Sequence, residues 1–468
     1  MMSERKIPDL KQNKMGVMPV GRLLFTMALP LVISMLVQAL YNVVDSVYVA
    51  KYSQNAVTAL SLAFPIQHLQ ISAATGIGVG MNSLLSKSLG EGNPERASKA
   101  AGNGIFLMSI MIVVFMLFGF FGAKPYYSMQ DISEATVKAG TAYSSICCIF
   151  TAGIFVEVLG ERMLQASGKT VFTLFTQGVG AVINIILDPL FIFGFAPLGI
   201  PELGAAGAAI ATVIGQWVAA TMAVIFNLTC NKEIKFRLRY ILPEGKIIGK
   251  ILAVGIPSTI MMAIGSVMNF GMNQIFLAFD AIGEIASGVF GVYFKLQSFF
   301  LMPLFGINNA SISIIAFNYG ARKPERITRN LKCALGAAAV IMLLGLTAFQ
   351  LFPQVFMGIF SNPDQETSAK CMELGIVALK TVSWHFPLAA VGIALGASFQ
   401  ALGNGIYSTI TSLCRQLLVL LPAAYLLSLS GDVNLVWWSF PIAEVVSAAV
   451  TLLLYARIYK QKIKPLKN

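Results

Sequence analysis

Long apolar runs are the feature that most constrains how this chain can fold. Twelve of them follow one another, at residues 21–50, 56–86, 98–121, 136–158, 168–195, 205–230, 249–279, 284–315, 328–352, 372–400, 406–430 and 434–458. A helix of about 20 apolar residues is long enough to cross a bilayer. Only 12% of the 468 residues are charged, whereas soluble domains carry about 25%. The sequence therefore predicts an all-α integral membrane protein with twelve transmembrane helices, and neither a soluble core nor a β-barrel.

The positive charge of the chain lies mostly at alternate ends of these runs. The formal net charge is +12. Most Lys and Arg residues fall in the two tails and in the loops after the second, fourth, sixth and eighth runs. The positive-inside rule then predicts that both termini are cytoplasmic. The charge is explained by topology, so no nucleic-acid partner is expected. The polar N-terminus lacks the pattern of a cleaved signal peptide, so we expect the first run to be retained.

The chain carries an internal duplication. GEGNPERASKA from Gly90 matches GARKPERITRN from Gly320, 230 residues later, and LQASGK from Leu164 matches FQALGN from Phe399, 235 residues later. Matches in the same order and at nearly the same offset indicate a repeat. Each copy holds six runs, an even number, so both copies enter the membrane in the same sense. Parallel repeats of this kind are typical of transporters.

The repeat predicts the domain boundaries. Residues 1–20 form a cytoplasmic tail, 21–230 a first six-helix lobe, 231–248 a basic cytoplasmic linker, 249–458 a second six-helix lobe and 459–468 a basic tail. Two similar bundles around a central cleft are suited to rocking between outward and inward openings.

Polar residues form stripes along three runs of the first lobe. Helical spacing aligns Ser34, Gln38, Tyr41, Asp45 and Tyr48 on one run, Thr173, Gln177, Gly180, Asn184 and Asp188 on another, and Thr212 and Gln216 on a third. Such faces are costly in lipid, so we expect them to converge on the bundle interior or a wet cavity. The glutamines also fit a structural role, because interhelical amides commonly join membrane helices.

The two acids in these stripes have no counterpart in the second copy. Asp45 pairs with Met272 at the repeat offset, and Asp188 pairs with Ala423. Two carboxylates in one dry pocket cannot both stay charged unless a cation lies between them. The pair therefore predicts a site that exchanges a proton or binds Na⁺.

Four motifs resemble those of the multidrug and toxic compound extrusion (MATE) family. They are LYNVVDSVYVAKY, NIILDPLFIFGF, GAAGAAIATV and the doubled loops that contain PER. The resemblance covers nearly the whole chain and is strongest to the DinF-like and MepA-like bacterial branch. NorM-like members carry acids in the seventh and tenth runs, whereas here the interior stretches of these runs, STIMMAIGSVMNFGMNQ and WHFPLAAVGIALG, have none. The resemblance implies the MOP flippase superfamily fold, with two lobes in a V, and export driven by H⁺ or Na⁺.

The resemblance also implies where the site lies. It places the coupling ion, H⁺ or Na⁺, at Asp45, Asn184, Asp188 and Thr212. Candidates for the substrate cavity are Gln38, Tyr41, Asn42, Gln177, Glu161, Gln216 and Glu444, with Glu157 a weaker one. Glu161 lies beside Arg162, so an ion pair or a gate contact remains an alternative role. Glu444 fits either a pair with Lys295 or a second acid for substrate.

The function predicted from these features is a cation-coupled multidrug antiporter of the bacterial cytoplasmic membrane. It would export small organic, cationic and amphipathic compounds by alternating access, as a monomer, with no cofactor and no catalytic residues. No P-loop pattern is present. The alternative within the superfamily is a flippase for lipid-linked oligosaccharide or another lipid, which a basic central cavity in the second lobe would favour. A membrane-embedded transferase would need a catalytic cluster that the sequence does not show.

Overall fold

The computed structural model describes residues 13–130, 132–279, 282–359 and 366–467. Regular structure in these ranges is helical, apart from an isolated bridge between Phe195 and Ile200. A short helix, Lys14–Val17, precedes twelve segments of transmembrane length. These are α1 (Val20–Tyr52), α2 (Gln54–Gly90), α3 (Pro94–Ser128), α4 (Glu134–Ile149 and Ala152–Ala166), α5 (Thr170–Ile192), α6 (Ala205–Cys230), α7 (Gly245–Leu277), α8 (Gly283–Gly320), α9 (Pro324–Leu351), α10 (Glu366–Val382 and Phe386–Ala401), α11 (Gly405–Ser428) and α12 (Ser439–Ile458).

The membrane class predicted from composition is confirmed. Of the helices in the described ranges, ten are long and apolar enough to cross a membrane, or eleven if α4, which bends by 45°, counts as one span. The remaining helix, α2, is long enough but more polar, because Gln67, His68 and Gln70 interrupt its apolar sequence. The twelve predicted runs therefore all form helices, and Gln67, His68 and Gln70 of α2 contact the polar side chains of Tyr143, Ser266 and Thr151, respectively.

The duplicated loops end and start helices at equivalent residues. Gly90 is the last residue of α2 and Gly320 the last of α8, while Pro94 starts α3 and Pro324 starts α9. Proline is well tolerated at the first helical position, because its missing N–H would have no partner there. The side chain of Asn93 caps α3 by accepting a hydrogen bond from the backbone N–H of Arg96 at 2.9 Å.

The repeat is also visible in the helix packing. The first-half contacts α1–α5, α5–α6, α4–α6 and α2–α3 recur in the second half as α7–α11, α11–α12, α10–α12 and α8–α9. Between the halves, α2 packs along α7 and α1 packs along α8, which are again two copies of one contact. Two six-helix halves of the same organisation therefore face each other.

The halves meet closely on the face where the short helix Lys14–Val17 lies, called the N-face below. At the ends of α2 and α8, a Cβ atom on Gly90 would overlap the carbonyl oxygen of Phe317, and one on Gly320 would overlap the carbonyl oxygen of Lys87. These two contacts are related by the repeat. The absence of side chains lets the two helix backbones touch, which closes the interface at the N-face.

The short N-terminal helix joins the halves at the same place. Asn318 Nδ2 and Arg326 Nη2 of the second half each donate a hydrogen bond to the carbonyl oxygen of Met15 at 3.0 Å. Asn13 Nδ2 donates to Glu233 Oε1 at 3.3 Å, beyond the end of α6. Met15 is fully buried between the two partners. The segment therefore connects both halves at the N-face.

Away from the N-face, α2 and α8 each hydrogen-bond within their own half. Gln67 Nε2 of α2 donates to the Tyr143 hydroxyl at 2.9 Å, and Ser287 Oγ of α8 donates to Asn273 Oδ1 at 2.7 Å. The α2–α7 contact between the halves continues to this level, where His68 Nδ1 of α2 lies 3.4 Å from Ser266 Oγ of α7.

Candidate functional site

A cavity of about 310 Å³ lies between the two halves. Most of its wall comes from α1, α2, α4, α5 and α6 of the first half. The second half contributes a smaller wall of amide, methionine and aromatic side chains: Ser258, Met261, Met262, Phe305, Asn308, Asn309 and Gln400. The cavity therefore has a polar wall rich in acids and amides on one side and an adaptable, largely uncharged wall on the other.

The polar stripes of the first half converge on this cavity, as their spacing predicts. Its lining includes the predicted residues Gln38, Tyr41, Glu161, Gln177, Asn184, Thr212 and Gln216. The side chain of Asn42 lies outside the described residues. Asp45 and Asp188 are not among the lining residues; Asp188 accepts a hydrogen bond from the lining residue Asn184, and Asp45 lies on α1, which packs along α5. Two of the four predicted ion ligands thus line the cavity, and a third contacts it through Asn184.

These four residues form a compact polar cluster between α1, α5 and α6. Asn184 Nδ2 donates to Asp188 Oδ1 at 3.2 Å and lies 3.4 Å from Thr212 Oγ1. Asp45 belongs to α1, which packs along α5. Three acceptor oxygens in the cluster are buried without a hydrogen-bond partner: Asp45 Oδ1, Asn184 Oδ1 and Asp188 Oδ2. Buried acceptors that lack a donor are costly, and a bound proton or cation would lower that cost.

The close approach of α5 and α6 brings these side chains together. Asn184 and Asp188 are four residues apart and lie on one face of α5. On the same face, a Cβ atom at Gly215 would lie 2.8 Å from the carbonyl oxygen of Gly180, so only glycine fits there. This contact presses α6 against α5 and places Thr212 beside Asn184. Elsewhere in the described ranges, no group of three or more His, Cys, Asp or Glu side chains is arranged to hold a metal.

A second polar group forms the end of the cavity nearer the N-face. Glu161 Oε1 accepts a hydrogen bond from Thr176 Oγ1 at 2.7 Å, and Oε2 accepts one from Gln177 Nε2 at 2.8 Å. Arg162 Nη1 donates to Gln165 Oε1 at 3.0 Å and, across the interface between the halves, to Asn309 Oδ1 of α8 at 2.9 Å.

The structure does not pair Glu161 with Arg162. No described carboxylate lies within 4.0 Å of the Arg162 guanidinium. Successive residues on a helix point about 100° apart, so Glu161 faces α5 while Arg162 faces α8. Adjacency in sequence is therefore a poor guide to pairing here, and Glu161 is a cavity residue held by its α5 partners.

Glu444 lies away from the cavity, in the interior of the second half. Its Oε1 is 3.8 Å from Nη1 of Arg415 on α11, and the Glu444 side chain is 4% exposed. The predicted pair with Lys295 is therefore wrong for the described residues, because Arg415 takes that place, whereas a role of Glu444 toward substrate stays a prediction. The pair forms because α11 and α12 pack together, a contact that the linear sequence does not reveal.

Several lining residues were not singled out from the sequence. Gln165 and Gln400 are equivalent in the two repeat copies, and both line the cavity. The sequence does mark these two residues, because the match of LQASGK with FQALGN places a glutamine at the same position in both copies. Asn308 and the methionines of α7 had no such signal, and Arg162 was considered only as a partner of Glu161.

Comparisons with known proteins agree with this architecture. A profile of the MatE family matches residues 30–190 and 257–426, one segment in each half. An FAD transporter from Shewanella oneidensis is 26% identical over 94% of this chain and 95% of its own length. The multidrug export protein MepA from Staphylococcus saprophyticus is 23% identical, over 91% of each chain. A solved outward-facing multidrug resistance MATE family transporter of the MOP superfamily superposes with a TM-score of 0.87 and is 25% identical, over 96% of this chain and 97% of that chain.

Proposed function

Because the chain belongs to the MatE family and is a multi-pass membrane transporter, not an enzyme, we propose that it is a cation-coupled antiporter that exports small organic compounds. The proposal places it in a bacterial cytoplasmic membrane, as a monomer with both termini in the cytoplasm. Its relatives named for multidrug export support a broad range of cargo.

One observation carries the proposal of ion coupling. Two carboxylates, an amide and a hydroxyl meet at Asp45, Asp188, Asn184 and Thr212, and three of their acceptor oxygens have no donor. All of these ligands are oxygens, which suit Na⁺ as well as H⁺. Since Asn184 and Thr212 also line the cavity, an ion or proton at the acids and a cargo in the cavity would compete for the same neighbourhood. Such competition is what antiport requires.

The contacts between the halves support alternating access. The halves are held together at the N-face by the contact of α2 with α8 and by the N-terminal helix. By the charge bias, the N-face is the cytoplasmic one. In this proposal the structure represents the state closed to the cytoplasm, and cargo enters from the cytoplasm once these contacts separate.

The cavity favours cargo that donates hydrogen bonds or carries positive charge. The acids Glu157 and Glu161 line it. Two further lining residues, Gln177 and Asn308, each have a buried acceptor oxygen, Oε1 and Oδ1, respectively, that has no hydrogen-bond donor. Among the described residues that line the cavity from the second half, none is Lys or Arg. A basic cavity wall in the second half would have favoured a lipid flippase. Because this wall has no basic residue among those described, we favour the antiporter.

The test is gradient-driven transport by purified protein in liposomes. Uptake or release of the fluorescent cation ethidium would be followed under a pH gradient and, separately, a Na⁺ gradient. We expect one gradient to drive movement in the wild type, and Asp188→Asn to abolish the driven component while the protein still folds. The gradient that works identifies the ion.

A matched control separates the loss of this acid from a general effect of replacing aspartate. Asp432 caps a short helix in an exposed connection, and asparagine caps helices equally well. Asp432→Asn should therefore transport as the wild type does. Full gradient-driven transport in Asp188→Asn, or none in correctly inserted wild type under either gradient, would contradict the proposal.

A further inference from the structure

Arg162 is a buried cation in the cavity wall whose charge no neighbouring carboxylate contacts. Its side chain is 7% exposed, and both hydrogen bonds that the structure gives it go to neutral amides, those of Gln165 and Asn309. Glu161, the nearest acid in sequence, is held instead by Thr176 and Gln177. A buried charge is costly unless it is paired, so this arrangement requires an explanation.

The unused donors of Arg162 form one edge of the guanidinium group. Both bonds start from Nη1, and neither Nε nor Nη2 donates to any residue that the structure describes. Arginine binds carboxylate and phosphate through two parallel N–H donors. The Nε–Nη2 edge offers such a pair. Because Arg162 belongs to the cavity wall, a molecule in the cavity has access to it.

The stem of Arg162 is held in place by the neighbouring helix. A Cβ atom on Gly78 of α2 would lie 2.8 Å from Arg162 Cγ, so the missing side chain at Gly78 makes room for it. Gln165, one turn along α4, anchors Nη1 from the same helix. The guanidinium is thus fixed in position rather than free to leave for solvent.

We propose that Arg162 is a subsite for an anionic group of the cargo, a carboxylate or a phosphate. The inference rests on the proposed transport function and deepens it, because it predicts that the cavity prefers molecules bearing both a positive and a negative group. The acids at Asp45 and Asp188 lie at the opposite end. Eleven residues of α5 separate Asp188 from Gln177, the partner of Glu161, which corresponds to about 16 Å along a helix.

The subsite also links cargo to the interface between the halves. Asn309 belongs to α8, so its bond to Arg162 is one of the contacts that join the halves. An anion on the free edge would compete with Asn309 Oδ1 for the positive charge of the guanidinium and weaken that bond. Binding of an anionic cargo group would thereby favour separation of the halves.

Rhodamine 110 and its methyl ester, rhodamine 123, are suitable probes because they differ in one free carboxylate. Binding of each dye to the purified full-length protein would be measured by fluorescence polarisation, and transport in liposomes alongside it. We expect the wild type to bind the free acid at least about tenfold more tightly than the ester, as a charge-assisted hydrogen bond commonly provides. Arg162→Gln should remove that preference while the ester binds as before. Arg162→Lys should retain part of it, because lysine keeps the charge but loses the paired donors.

The ratio of the two dyes separates recognition from folding. A purely structural role of Arg162 predicts that Arg162→Gln lowers binding of both dyes equally, which would overturn the proposal. If Arg162→Gln does not fold, the binding of the two dyes to the wild type tests the proposal. Equal binding of the acid and the ester to the wild type would overturn the subsite. Gradient-driven transport of the ester in the wild type shows in either case whether the proposed antiport stands.

Discussion

The contact of Gly90 and Gly320 with the opposite helix gives a direct test of how the N-face closes. At both positions an added Cβ would overlap a backbone carbonyl oxygen, not a flexible side chain. The two helices would therefore have to move apart by about 1 Å, at a cost of about 1–3 kcal/mol for overpacking. Because the overlap exists only while α2 and α8 touch, the cost falls on the closed state alone. Gly90→Ala should thus shift the equilibrium toward separation by about 5- to 150-fold.

Pulsed electron paramagnetic resonance can measure that shift. Spin labels would be placed at Glu95 and Glu325, exposed residues in the first turns of α3 and α9 on either side of the contact. The six free cysteines would first be replaced. We expect a new population at longer label distance in Gly90→Ala.

The control is Gly249→Ala on α7, where an added Cβ meets nothing within 4 Å. Alanine is favoured over glycine within a helix by about 1 kcal/mol, so this variant should keep the wild-type distances and be no less stable. An unchanged distance distribution in Gly90→Ala would refute the argument that backbone contact holds the N-face closed.

Three further predictions follow from other contacts. Arg326→Ala removes the bonds from Nη2 to the carbonyl oxygens of Met15 and Met18, so proteolysis near the N-terminus should become faster, whereas Arg326→Lys should be intermediate. Arg415→Leu leaves the buried Glu444 carboxylate unpaired and should destabilise the protein by about 3 kcal/mol. The double variant with Glu444→Leu should recover most of that loss in thermal unfolding, and failure to recover it would show that the ion pair itself stabilises the fold. Thr212→Val removes the hydroxyl beside Asn184. If Na⁺ is the coupling ion, the Na⁺ concentration for half-maximal transport should rise in this variant. If H⁺ is the coupling ion, that concentration should not rise.

Much of the fold follows from the sequence because the membrane restricts the solutions. Backbone groups must be paired within lipid, so long apolar runs can only become helices. The repeat determined that the two halves would share one organisation, and the loops at Gly90 and Gly320 do end equivalent helices. Helical spacing likewise predicted that Gln177 and Asn184 face one cavity.

Pairings between distant helices were decided only by the tertiary structure. The sequence left Glu444 with Lys295 or substrate as partner, and the packing of α11 on α12 assigned it Arg415. The sequence placed Arg162 beside Glu161, and the fold turned it toward Asn309 in the other half. Periodicity shows which residues share a face of a helix, but the tilt and rotation of each helix against its neighbours come from side-chain packing. That packing joins Arg415 to Glu444, 29 positions later (444 − 415), and Arg162 to Asn309, 147 positions later, and no local pattern in the chain records it.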